Sequence, residues 1–357
     1  MIPITKPFLP PFEEYQILLK EIWQRNWLTN NGPMVVQLEN ELKKYLQVGH
    51  ISFVTNGTIA IQLALKALGI SKEVITTPFS YVATTSSIVW EGCTPVFADI
   101  DSETLNIDSS QIEKVITEDS EAILATHCYG NPCDVESIEK IAVKYGLKII
   151  YDGAHSFGTK YNNQSIFEFG DAVTTSFHAT KLFHTVEGGA VFFKNPQMVK
   201  VIERMRYFGH DGFDRFNGVG INGKNSELHA AMGILNLRYI NEILKKRLVQ
   251  SGIYDRLLKW SKFRKIKIQE NVDYNFAYYP IIFDNEQNLL KVKAKLEKYE
   301  IFSRRYFYPS LNTLHYVKQQ PTPVSEKIAP KVLCLPLYFE LEEKDQEKIS
   351  RIINQNL

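Results

Sequence analysis

Between residues 51 and 193 short apolar runs alternate with helical patterns, and no other feature of the chain restricts its fold as much. The runs are Ile51–Thr55, Val74–Thr77, Ala122–Thr126, Leu147–Asp152, Ala172–Phe177 and Ala190–Phe193. Each is short, rich in β-branched or aromatic side chains, and nearly continuous in its apolar character. Strands that read this way are buried on both faces, which calls for helices above and below a mostly parallel sheet. The predicted class is α/β, with a mostly parallel mixed sheet flanked by helices.

The segments between the runs supply those helices. Thr58–Leu68 sets Ile61, Leu65 and Leu68 on one face, with Ile59, Leu63 and Ala67 widening the stripe and Gly69 as a stop. Ser137–Lys144 ends at Tyr145-Gly146, and Glu13–Trp27 runs into the polar turn Thr29-Asn30-Asn31-Gly32-Pro33. Ser226–Leu237 is a further helix. After Arg247 the pattern shifts to a charged helix, Leu289–Tyr299, and a short strand, Ala277–Phe283. The predicted division is a large domain over residues 1–240, N-terminal segment included, and a smaller α+β domain over 241–357. A chain of 357 residues can bury both cores.

Bulk properties narrow the function. A formal net charge of +1 gives no basic excess for nucleic acid and no acidic tail. The start, Met1-Ile2-Pro3-Ile4-Thr5-Lys6-Pro7, lacks the apolar stretch of a signal peptide, and no run is long enough for a membrane span. A cytoplasmic location is the expectation. Cys93, Cys128, Cys133 and Cys334 fit neither zinc spacing nor a disulfide scaffold, so they read as free thiols, wholly or partly buried. The eight histidines are scattered without ligand spacing, so no metal is expected.

Four local signals carry chemistry. Thr55-Asn56-Gly57-Thr58, between a strand and a helix, offers free amides, a permissive glycine and a hydroxyl, which suit a phosphate. An ordinary strand-to-helix turn with Thr58 as N-cap would read the same. Tyr151-Asp152-Gly153-Ala154-His155 ends a strand, and a carboxylate there sits where open α/β sheets bind ligands. In Ser176-Phe177-His178-Ala179-Thr180-Lys181 a lysine follows an apolar strand among small and hydroxyl residues. Partial burial near a cation would favour its neutral amine, the form that condenses with a carbonyl. Gly188-Gly189 lets backbone pass close by. The fourth signal is Gly220-Ile221-Asn222-Gly223-Lys224-Asn225-Ser226-Glu227, a polar loop before a helix. Taken singly, each is also common structural punctuation.

In this order along the chain, the signals resemble the DegT/DnrJ/StrS family of sugar aminotransferases. The resemblance runs from Trp27-Leu28-Thr29-Asn30-Asn31-Gly32-Pro33 through Asn56-Gly57-Thr58, Thr77-Pro78-Phe79-Ser80-Tyr81-Val82-Ala83-Thr84 and Asp152–His155 to Lys181 and Asn222–Ala231. It implies the aspartate-aminotransferase-like fold (fold type I) and pyridoxal 5'-phosphate (PLP), with pyridoxamine 5'-phosphate in turnover. It also implies that Lys181 carries PLP as a Schiff base and moves the proton. Asp152 pairs with the pyridine nitrogen, while Gly57, Thr58 and Ser176 hold the phosphate. Tyr81 stacks on the ring, and His155 lies near the ring hydroxyl. Asn222 reaches the phosphate of the neighbouring subunit, so a homodimer with shared sites follows. Lys224 stands where many members have Arg, which leaves its partner open between phosphate and substrate carboxylate.

The resemblance further implies a nucleotide-linked keto-deoxysugar and L-glutamate as substrates. Thr29, Asn30, His184, Lys224, Tyr306, Tyr308 and His315 are candidates for the sugar site. The run Phe177–Thr185 is similar to members that convert dTDP-4-keto-6-deoxyglucose to dTDP-4-amino-4,6-dideoxyglucose, a building block of O-antigen lipopolysaccharide. Three other readings stay open: amination at the sugar 3-position, a PLP-dependent sugar dehydratase, and a silent sugar-binding regulator. Dehydratase relatives carry His in place of the lysine, so Lys181 favours transamination.

Overall fold

The computed structural model describes residues 1–356. Seven strands build the large sheet: β1 (Ile51–Val54), β2 (Glu73–Thr76), β3 (Thr94–Phe97), β4 (Ser120–Thr126), β5 (Lys148–Asp152), β6 (Ala172–Ser176) and β7 (Gly189–Phe193). Their order is β1-β7-β6-β5-β4-β2-β3. From β6 through β3 every pairing is parallel, and β7 is antiparallel to both its neighbours. All six predicted runs are strands of this sheet. The seventh, β3, escaped notice because Thr94-Pro95-Val96-Phe97 is too short and proline-broken to stand out.

Helices cover both faces. α1 (Phe12–Arg25) and α2 (Pro33–Leu46) precede the sheet, α3 (Gly57–Ala67) follows β1, and α4 (Val82–Trp90) follows β2. One core holds Leu38, Leu42 and Phe53 with Phe177, Phe192 and Ile234; the opposite face buries Val54, Leu63, Leu65 and Val191. The long helix Glu227–Leu257, capped by the Ser226 side chain, extends twenty residues past its predicted end at Leu237. The boundary expected between residues 240 and 241 therefore falls inside a helix. Its first half packs in the large core, while Tyr254 sits with Phe283, Leu296 and Leu335 in a second core.

That second core surrounds a sheet of β8 (Phe263–Arg264), β9 (Tyr279–Phe283) and β10 (Val332–Leu335), in that order and antiparallel throughout. The first residues also belong here and not to the large unit. Ile2 exchanges backbone bonds with Glu300 and Phe302, and Ile4 accepts from Leu337. Apolar periodicity along the sequence cannot show which of two cores a terminal strand will join. All four cysteines are free and buried. Among the described residues no helix is long and apolar enough to cross a membrane, and no cluster of side chains could hold a metal ion.

Candidate active site

The parallel topology sets the carboxyl ends of β1, β5 and β6 along one edge of the sheet, so the segments that follow them converge. There a cleft of about 350 Å³ opens between the large unit and residues 278 and 304–307. It is the crevice position at which open α/β sheets bind ligands. Gly57, Thr58, Tyr81, Asp152, His155, Ser176 and Lys181 all line it.

Its phosphate-sized end lies at the start of α3. Asn56, not Thr58, is the N-cap: its Oδ1 accepts from Ile59 N at 2.9 Å, and its carbonyl accepts from Ala60 N. The amides of Gly57 and Thr58 are thus left for an anion, at the positive end of the helix. Two close approaches shape this corner. A Cβ on Gly57 would stand 2.9 Å from Ser176 Cβ, and one on Gly189 would stand 2.5 Å from the carbonyl carbon and oxygen of Asn56. A glycine pair is therefore what lets β1, β6 and β7 bring backbone and Ser176 around one small cradle.

The floor is Asp152. Its carboxylate accepts from Thr84 Oγ1 at 2.8 Å and from Ala154 N at 3.1 Å. Burial pushes its pKa above the usual carboxylate range, opposed by these two bonds and by Lys181. Across the cleft Lys181 is only partly covered as a residue, yet its amine end is shut in. Desolvation holds its pKa below the ordinary lysine value against the pull of Asp152, Tyr306 and Tyr81. The amine donates to Tyr278 Oη at 3.3 Å. A lysine amine biased toward its neutral form beside a buried carboxylate suits imine formation and proton transfer.

His155 lies on the wall, nearly parallel to Phe307 at 5.4 Å and edge-on to Tyr278 at 4.8 Å. Its Nδ1 accepts from Tyr129 N at 3.3 Å, and burial holds its pKa well below the ordinary value, so the ring is neutral. Tyr306 closes the other side; burial raises its hydroxyl to about 12, so it is a phenol and not a phenolate.

Other expected residues lie elsewhere. His184 is a structural histidine: it is buried, with Nε2 on the Phe8 carbonyl at 2.7 Å and its own carbonyl accepting from Asn236. Thr29 and Asn30 are exposed, on the loop between α1 and α2, outside the cleft. His315 is exposed against Tyr316, and Tyr308 lies under the Arg305 guanidinium, 3.6 Å from the ring centre. Asn222 and Lys224 pair with each other at 2.6 Å, away from this chain's own cleft. Of the seven sugar-site candidates only Tyr306 lines it.

Four lining or supporting residues had no predicted role: Thr84, Tyr278, Glu187 and Arg304. Thr84 carried a signal, since Thr84-Thr85-Ser86-Ser87 is a hydroxyl run in a helix whose neighbours are apolar. Tyr278, Glu187 and Arg304 come from separate segments and meet only in the fold.

A reactive lysine, a buried carboxylate opposite it and an anion cradle at a helix start, on this sheet, define a PLP-dependent aminotransferase of the aspartate-aminotransferase-like fold. The residues fit the cofactor, because the cradle is one that a single Cβ would fill and the carboxylate is pre-placed by two donors. The sequence pattern of the DegT/DnrJ/EryC1/StrS aminotransferase family matches residues 12–354, and the chain belongs to that family. It is 43% identical to the dTDP-4-amino-4,6-dideoxy-D-glucose transaminase of Shigella dysenteriae, over 99% of this chain and 98% of that protein. It is 40% identical to the enzyme of the same name from Escherichia coli, with the same coverage. Among solved structures, DesI in the presence of its TDP-sugar product superposes with a TM-score of 0.94 at 28% identity, covering 99% of this chain and 92% of that one.

Proposed function

We propose that the chain moves the amino group of L-glutamate to C4 of dTDP-4-keto-6-deoxyglucose, giving dTDP-4-amino-4,6-dideoxyglucose and 2-oxoglutarate. The observation that carries this reading is the convergence of Lys181, Asp152 and the Gly57–Ser176 cradle in one cleft, in a chain over 40% identical to a transaminase with that product. PLP, when bound, supplies the carbonyl that accepts the amine and the electron sink that labilises the adjacent proton.

Each residue has a task set by its surroundings. The free amides of Gly57 and Thr58, with the Ser176 hydroxyl, take the phosphate. Asp152 stays in reach of the ring nitrogen because Thr84 and Ala154 fix both its oxygens. The neutral His155 donates or accepts toward the ring hydroxyl without adding charge, and Tyr81, half exposed at the mouth, can cover the ring face. Lys181, desolvated and held by Tyr278, takes up and returns the proton. Tyr306 and Arg304 bound the side open to substrate.

A homodimer in the cytoplasm completes the reading. Asn222 and Lys224 do not line their own cleft, and they sit on a loop whose neighbours Tyr207, Phe208, Phe213, Phe216 and Val219 expose large apolar surface. Such a patch suits burial against a second copy, with Asn222 at the partner's phosphate.

The decisive experiment incubates the protein with dTDP-4-keto-6-deoxyglucose and glutamate and determines the product by NMR. The expected product carries nitrogen at C4. Loss of water without nitrogen would mean a dehydratase. A higher specificity constant for the 3-keto isomer would move the amination to C3.

A further inference from the structure

Two different substrates must use one cleft in turn, so some group has to welcome the amino acid. Arg304 is placed for this. Its backbone is locked to β10 on both sides, donating to the Cys334 carbonyl at 3.2 Å and accepting from Cys334 N at 2.8 Å. Its guanidinium lies over the Tyr306 ring, 4.8 Å from the centre, and lines the same cleft as Lys181. Its neighbour Arg305 is paired with Glu286 at 2.6 Å, and the buried Arg206 with Glu39 and Glu203. Among the described residues no carboxylate pairs with Arg304. Glu187, an acid that lines the same cleft, faces His178 at 3.5 Å instead.

We propose that Arg304 grips a carboxylate of the amino donor and is the residue that selects an amino acid for the first half of the reaction. This rests on the transaminase reading above. The planar fork of a guanidinium matches a carboxylate through two parallel bonds, and stacking on Tyr306 holds the fork in one plane beforehand. The diphosphate of the sugar nucleotide is the other anion that enters. In an amino acid the α-carboxylate is one carbon from the bond that reacts, so it has to lie near the lysine amine. In a 4-keto sugar the diphosphate hangs from C1, across the ring from the reacting carbon. A cation close to Lys181 therefore suits the donor. That closeness is felt at Lys181, whose ammonium form the Arg304 charge helps to disfavour.

The test compares wild type, Arg304→Gln and Arg304→Lys, all loaded with PLP, in the two half-reactions by stopped-flow absorbance. Binding of glutarate, an unreactive dicarboxylate, and of dTDP is measured by calorimetry. The expected result is a loss of about 10- to 100-fold in the glutamate half-reaction and in glutarate affinity for Arg304→Gln. Arg304→Lys, which keeps the charge, should recover part of it; for Arg304→Gln the keto-sugar half-reaction should fall far less than the glutamate one, through the changed field at Lys181 alone, with dTDP affinity held in both variants. A loss confined to the sugar half-reaction and dTDP would overturn the proposal in favour of the diphosphate. Equal losses in both halves, or none, would overturn it as well. If wild type itself fails to react with glutamate, the transaminase reading with this donor falls too, so the two failures are told apart.

Discussion

Replacing Thr84 by valine keeps the shape of the side chain and removes one hydrogen, the one it donates to Asp152 Oδ2 at 2.8 Å. Both groups are buried, and Ser80 keeps Thr126 as a partner when Thr84 is lost. A hydrogen bond to a buried charge contributes about 1.5–3 kcal/mol. Without it Asp152 is harder to ionise, so its pKa should rise further, and 1.5–3 kcal/mol corresponds to about a 10- to 150-fold change in an equilibrium constant. Burial has already raised it, and the Thr84 hydrogen bond is the strongest of the forces that bring it down. The ring nitrogen of PLP needs the carboxylate, so the acid limb of PLP binding should move to higher pH. Affinity would fall about tenfold per unit below the limb, and the two proteins would converge at alkaline pH, where Asp152 is ionised in both. The stability of the cofactor-free protein should follow the same titration. A folded pKa above the unfolded one contributes stability that is full in acid and lost as pH rises through the folded value. Thr84→Val should therefore be less stable than wild type near neutrality and closer to it in acid. PLP titrations followed by absorbance across pH measure the limb, and Thr84→Ser should restore it. Coincident profiles for wild type and Thr84→Val would refute the assignment of Thr84 as the residue that positions and ionises Asp152.

Further outcomes follow from other contacts. Gly189→Ala should lose about 2–3 kcal/mol in denaturant titrations, because its Cβ would meet Asn56 and Gly57 backbone, which cannot yield as a side chain could. Glu227→Gln should cost about 2 kcal/mol by the same measurement: its buried carboxylate accepts from Met34 N at 2.9 Å and Val35 N at 3.0 Å, capping α2 at its positive end. Borohydride reduction of the PLP-loaded protein should fix the cofactor on Lys181 in peptide maps, and Lys181→Ala should abolish turnover. Mixing Lys181→Ala with Asn222→Ala subunits should restore activity well above either parent, since one site of each heterodimer then carries neither lesion; no restoration would count against a shared site.

The class of fold and most of the residues that line the candidate site were legible in the sequence. Strands buried on both faces must be continuously apolar, so β1, β2 and β4–β7 announced themselves. The groups at their carboxyl ends, Gly57, Asp152, Ser176 and Lys181, inherit their place from that topology. A ligand site built from strand ends is local in sequence, one short segment per strand, and so it could be read one segment at a time. Tertiary structure alone decided the rest. Tyr278, Arg304 and Tyr306 belong to a second unit, and only the packing of the two units aims them at Lys181. His184, three residues beyond the lysine in sequence, points instead into the core toward Phe8 and Asn236. Thr29 and Asn30 stay on the surface, and Ile2 and Ile4 cross over to the distant segments at Glu300–Phe302 and Leu337. Periodicity reports that a side chain is buried or exposed, whereas the neighbour it meets is fixed by how separate units pack, and no local pattern encodes that.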